Sequence, residues 1–143
     1  MDFFTPFKIC GDGLAAQRAK MDVIVSNIAN INTTRTPEGG PYKRKVVVFS
    51  SEEVGSSFNS QLKDAVKSVK VDGVEEAPDA EAVKMMHNPG HPDADEKGFV
   101  AMPNINSVTE MVDMMLANRA YEACVTAFDT SKNMAVKTLE MGK

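Results

Sequence analysis

The sequence predicts a mainly α chain with a small β-rich middle: long N- and C-terminal helices packing as a coiled-coil-like pair, with short strands and turns between them. Three observations predict it. Residues 7–31 and 107–141 lack proline and carry apolar residues at sevens or at alternating threes and fours. The intervening segment holds most of the chain's proline and glycine (Pro37, Gly39, Gly40, Pro41, Gly73, Pro78, Pro89, Gly90, Pro92, Gly98, Pro103), a density that reads as turns and short strands. Charge divides the same way, because residues 61–104 hold five bases and nine acids while the ends are nearly neutral. The expected organisation is an N-terminal helix in 1–34, a turn- and strand-rich middle in 35–104 and a C-terminal helix in 105–143.

The first helix starts at Thr5-Pro6, read as an N-cap followed by proline at N1, where its missing N–H is not needed. Phe7, Leu14, Met21 and Ile28 recur at sevens, with Cys10, Ile24 and Ile31 offset by three. Such a helix spans about 39 Å. Gly11 and Gly13 are its weak point, each costing roughly 1 kcal/mol against alanine; they suit an irregularity or the close approach of a neighbouring backbone. In the middle, Lys43-Arg44-Lys45 leads into Val46-Val47-Val48-Phe49, a β-branched strand introduced by the turn from Pro37 to Pro41. Val66, Val69, Val71 and Val74 suggest more extended chain, and Lys97 to Met102 another short strand.

The second helix starts at Ser107-Val108-Thr109-Glu110, a capping box placed just after Pro103. No proline or glycine follows until Gly142, a natural C′ stop. Met111, Met114, Asn118, Tyr121, Val125, Phe128, Lys132, Ala135 and Leu139 hold heptad spacing, and Val108, Val112 and Met115 widen the apolar face. Asn118 and Lys132 interrupt the seam, which favours one register or partner at a cost in stability. The helix spans about 50 Å.

Composition excludes several classes. The chain has 143 residues, 43% hydrophobic and 25% charged, with a net charge of −4, so the basic footprint of a nucleic-acid binder is not expected. No apolar run exceeds four residues, which predicts neither a membrane span nor the h-region of a cleaved secretory signal. Two cysteines make no disulfide framework. Two readings of the helical ends stay open: an antiparallel pair closing over a small domain, or ends that assemble with other copies. A lone helix pair buries one face of each helix, so the terminal helices are expected to be marginal alone and ordered by neighbours.

Ser26-Asn27-Ile28-Ala29-Asn30-Ile31-Asn32-Thr33 resembles the amino-terminal motif of bacterial flagellar rod and hook proteins. The continuation from Thr33 to Lys45 resembles the proximal-rod branch of that family rather than its distal-rod or hook members. Asn88 to Ala94, Gly98 to Asn106, Met111 to Met115 and Asn118 to Ala123 agree. The chain departs at Cys124, where asparagine is expected, and at His87-Asn88, where Tyr-Asp is expected. The resemblance implies a structural protein without catalytic activity or cofactor. It implies export without a cleaved signal through the flagellar type III apparatus, and helical polymerisation into a torque-transmitting rod in the periplasm. Implied partners are the chain itself, other proximal and distal rod proteins and the rod-base adaptor, with no nucleic acid and no direct membrane insertion. Terminal helices of the family form an inner layer and the middle an outer, β-rich one. Leu14, Met21, Ile24, Ile28, Val108, Met111, Met115, Tyr121, Val125, Phe128 and Leu139 are the expected assembly interface. Asn27, Asn30 and Asn32 either end the first helix by local side-chain bonds or pack between subunits.

The contrasting function is a cytosolic enzyme using a metal held by His87 and His91 beside Asp93, Asp95 and Glu96. Pro89 and Pro92 deny the helix that His-x3-His needs, and solvated loop residues account for the pattern. A calcium loop fails at Lys97 and Asn104, and Gly11-Asp12-Gly13 lacks the strand, spacing and lysine of a phosphate loop. No metal or cofactor is expected. An antiparallel helix pair brings Cys10 and Cys124 to similar levels, where buried thiols are favoured over a disulfide.

Overall fold

The computed structural model describes residues 4–53, 67–78 and 82–142. In chain order they form α1 (Thr5–Ala29), β1 (Lys45–Glu53), β2 (Lys67–Glu76), β3 (Val83–His87), β4 (Phe99–Pro103) and α2 (Ser107–Met141). The two helices run antiparallel, since Phe7 meets Phe128 at one end while Asn27 meets Glu110 at the other. Each hairpin is a separate two-stranded antiparallel sheet.

Both helices begin differently from the sequence expectation. Phe4, not Thr5, caps α1: its carbonyl already accepts from Lys8 N–H at 3.1 Å, so Thr5 lies inside the first turn and no side chain caps it. Asn106, not Ser107, caps α2, with its Oδ1 accepting from the N–H groups of Val108 (2.9 Å) and Thr109 (3.5 Å). The capping box does not form because Glu110 turns inward to partners outside α2. At the far end Gly142 has φ −88°, outside the left-handed region, so α2 stops without the expected glycine C′ turn. α1 ends as local bonding predicts: Asn30 Nδ2 donates to the Ser26 carbonyl (2.9 Å) and Thr33 Oγ1 donates to Asn30 Oδ1 (3.1 Å).

β1 contains the predicted Val46–Phe49 run and pairs with β2 from Lys45↔Glu76 to Glu53↔Lys67, with a bulge between Val48 and Phe49. Val69, Val71 and Val74 lie in β2; Val66 falls outside the described residues. This hairpin lies along α1, where buried Ser68 donates to Asp12 Oδ2 at 2.6 Å. β4 covers most of the expected Lys97–Met102 strand. Its partner β3 was not expected: of its five residues only Val83 is β-branched, and pairing with β4 imposes the extended form.

Apolar burial is thin. Among the described residues the buried hydrophobic ones are Ala16, Ile24, Tyr42, Ala82, Val100 and Ala117, and the helix seam is built largely from small ones. At the helix seam a Cβ on Gly13 would stand 3.2 Å from Cys124 Sγ. What approaches Gly13 is the Cys124 side chain rather than a neighbouring backbone, and nothing stands within 4 Å of a Cβ at Gly11. Gly13→Ala gains about 1 kcal/mol of helix propensity but presses a methyl onto Cys124. In a double-mutant cycle read by thermal melting, Gly13→Ala is expected to be more favourable in a Cys124→Ala background by about 1 kcal/mol. Additive effects would mean that the two residues do not set the helix spacing.

Candidate assembly interface

Two features of the molecule bear on function: a buried polar junction that ties its three parts together, and an apolar surface that the single chain leaves uncovered.

The junction centres on Asn27, near the C-terminus of α1. Its Oδ1 accepts from Lys45 N–H (2.9 Å) and from the Tyr42 hydroxyl (3.1 Å), while its Nδ2 donates to the Lys45 carbonyl (2.9 Å) and to Glu110 Oε2 (3.2 Å). Both ends of the amide are thus used twice, which fixes its orientation. The other oxygen of Glu110 accepts from Arg44 Nε at 2.7 Å, and Arg44 also reaches Asp113 at 3.9 Å. Asn27 and Glu110 are each only 1% exposed, so a charge and an amide are held inside the molecule by their mutual bonds. Among the described residues no buried side-chain polar atom lacks a partner. Sequence reading missed this junction because it placed Glu110 in a capping box and Asn27 either at the helix end or between subunits. Tyr42, buried with its hydroxyl 3.2 Å from Ser26 Oγ, was not singled out at all. A polar residue on an apolar helix face, at the height of a Ser26-Asn27 motif, was the available signal.

The seam of α2 against α1 is also displaced from the expected heptad row. The side facing α1 carries Glu110 and Ala117, both buried, with Asp113, Ala120, Tyr121, Cys124, Phe128, Ser131 and Ala135 half-buried. Of the predicted row only Tyr121, Phe128 and Ala135 fall here; the Phe128 ring stacks edge-on to Phe7 with centroids 5.1 Å apart. The small residues allow a close helix pair, and their weak apolar signal hid the true register. On α1, Ile24 is buried and Leu14, Met21 and Ile28 are half-buried, while Asn30 is engaged in the helix end and Asn32 is exposed.

The rest of the predicted interface points outward. Val108, Met111, Met115, Val125 and Leu139 are exposed, as are Val112 and Leu116 beside them. Met21, Met111, Met114, Met115 and Asn118 line one shallow apolar groove of about 530 Å³ beside the helix seam. At the other end α2 runs roughly 15 Å beyond the level of Thr5, exposing Leu139 to 72% and Met141 to 81%.

The histidine loop does other work. Asp95 Oδ1 accepts from the N–H groups of Lys97 (3.0 Å) and Phe99 (2.8 Å), and His91 Nδ1 accepts from Asp93 N–H (3.1 Å). The His87 ring packs edge-on to Phe99. Gly98 makes the turn at φ +77°, where a Cβ would stand 3.1 Å from Pro89 Cβ and 3.2 Å from His87 Nε2. Gly98→Ala is therefore expected to cost about 1–3 kcal/mol, read as faster amide exchange in β3 and β4; unchanged exchange would show that the turn tolerates a side chain. Among the described residues no three His, Cys, Asp or Glu side chains converge as a metal site, and no helix is long and apolar enough to cross a membrane. Cys10 and Cys124 are free and half-buried.

Comparison with known proteins gives this surface its context. A family model described as "Flagella basal body rod protein" matches residues 9–35, and one described as "Flagellar basal body rod FlgEFG protein C-terminal" matches residues 96–141. The flagellar basal-body rod protein FlgC of Borreliella burgdorferi is 40% identical, with 94% of this chain and 93% of the relative covered. The FlgC proteins of Bacillus subtilis (40% identical, all of both chains) and Escherichia coli O157:H7 (42%, 96% of both) are similar along the same length. These matches run through the middle segment as well as both helices, and so the chain belongs to the FlgC family of flagellar basal-body rod proteins.

Proposed function

We propose that this chain, a structural subunit of the proximal rod of the flagellar basal body, polymerises helically through its terminal helices and so transmits torque. The observation that carries the reading is the division of α2 into two kinds of surface. One row of small and buried residues, around Ala117 and Cys124, takes α1 within the chain, while Val108, Met111, Val112, Met115 and Leu116 remain exposed. An apolar row left free after the intramolecular seam is complete suits a contact between subunits. In this reading residues 1–34 and 105–143 form the inner layer and 35–104 the outer one. The neighbours are further copies, the other proximal and distal rod proteins and the rod-base adaptor. The subunit travels through the type III export apparatus without a cleaved signal and joins a rod lying in the periplasm. It performs no catalytic step and holds no cofactor. Electron microscopy of basal bodies from a strain lacking the chain is the direct test. Absent or truncated rods, restored by complementation, are expected; complete rods would overturn the reading.

A further inference from the structure

The junction joins three parts of the chain that are far apart in sequence. Asn27 belongs to α1, Glu110 to α2, and Tyr42, Arg44 and Lys45 to the lead-in and first residue of β1. No two of these parts complete it without the third. Were α2 to dock on α1 with the lead-in elsewhere, Glu110 would keep the Asn27 amide but lose the Arg44 guanidinium, and Asn27 Oδ1 would lose both of its donors, the Lys45 N–H and the Tyr42 hydroxyl. Were the lead-in to dock on α1 alone, Asn27 would keep its two bonds to the Lys45 backbone, but Arg44 would lack its buried acceptor. Helix pairing therefore favours placement of the hairpin, and by linkage placement of the hairpin favours helix pairing to the same degree. Towards the opposite end of the helix pair Phe7 meets Phe128 and Gly13 meets Cys124, and β2 reaches α1 at the Ser68–Asp12 bond.

We propose that the Asn27–Glu110–Arg44 junction is a conformational lock, which orders the adjoining ends of both helices in the lone chain and fixes the β1–β2 hairpin on them whenever the helices pair. The lock gives the subunit a direction of ordering, from the junction outward to the free end of α2. A subunit seated by its helices thereby holds its hairpin at a set angle, with β1 anchored at Lys45 and β2 at the Ser68–Asp12 bond.

Amide hydrogen exchange of the full chain in dilute solution tests this without any rod. In the wild type, amides of residues 23–28 and 111–117 are expected to exchange at least about a hundredfold more slowly than those of 134–141. Arg44→Met lies in neither helix, yet it should speed exchange at least about tenfold in both helix segments. The double variant Arg44→Met/Glu110→Leu removes the carboxylate together with its partner, and should return both segments to within about threefold of wild type. Three results would overturn the lock: junction-end amides as fast as those of the free end in the wild type, an Arg44→Met effect confined to residues 42–46, or a double variant as unprotected as the single one. All are read on the isolated chain, so they stand apart from success or failure of rod incorporation.

Discussion

Asn27→Leu is expected to lower the melting temperature of the isolated chain by roughly 10 °C, corresponding to about 3–4 kcal/mol. Leucine keeps the branched skeleton of asparagine and creates no cavity, so the loss comes chiefly from the groups left behind. These are the Lys45 N–H and C=O and one oxygen of Glu110, which lose the Asn27 amide, and the Tyr42 hydroxyl, which keeps only Ser26 Oγ at 3.2 Å. A buried polar group without a partner costs about 1–3 kcal/mol, and water reaching the rim of the junction offsets part of the sum. Asn32→Leu is the control. Asn32 sits in the same asparagine-rich motif but is exposed, and its replacement should leave the melt unchanged. Circular dichroism melts of the two variants decide the matter; Asn27→Leu melting with the wild type would mean that the junction contributes nothing to the fold.

The contrast between Asn27 and Asn32 also marks what the sequence made legible. The two long helices were readable because proline-free runs with heptad spacing have few other outcomes, and Val46–Phe49 was readable as a strand from its β-branched run. The registers were not. Ala117, Ala120 and Cys124 carry the seam against α1 but add little to an apolar pattern, so periodicity followed the larger Met111, Met114 and Val125 on neighbouring rows. Nor could local rules separate the two roles open to Glu110. Three residues after Ser107 it scores as a capping partner, and only the arrival of Arg44, 66 positions away in sequence, draws it inward. β3 likewise depends on β4, which supplies a pairing edge that residues 83–87 do not advertise themselves.

The exposed row yields the second large effect, and it differs in kind from the first. Met111→Asp and Met115→Asp replace side chains that are more than half exposed in the single chain. Their effect on its stability should stay within about 0.5 kcal/mol, with α2 as helical as before. Incorporation into the rod should nonetheless be lost. A carboxylate closed into an apolar contact without a partner costs several kcal/mol, and even about 4 kcal/mol weakens a contact roughly a thousandfold. Ala117→Asp provides the opposite pattern, since Ala117 is buried against α1 and a carboxylate there should unfold the helix pair before any partner is met. The measurements are a melt of each purified variant and a motility and basal-body assay of the strain that carries it. Normal melts with lost motility for Met111→Asp and Met115→Asp, beside a collapsed melt for Ala117→Asp, would separate the surface that makes the subunit from the surface that makes the rod. Motile cells carrying Met111→Asp and Met115→Asp would place the contact between subunits elsewhere, on the α2 overhang around Leu139 and Met141 or on the exposed faces of the two hairpins.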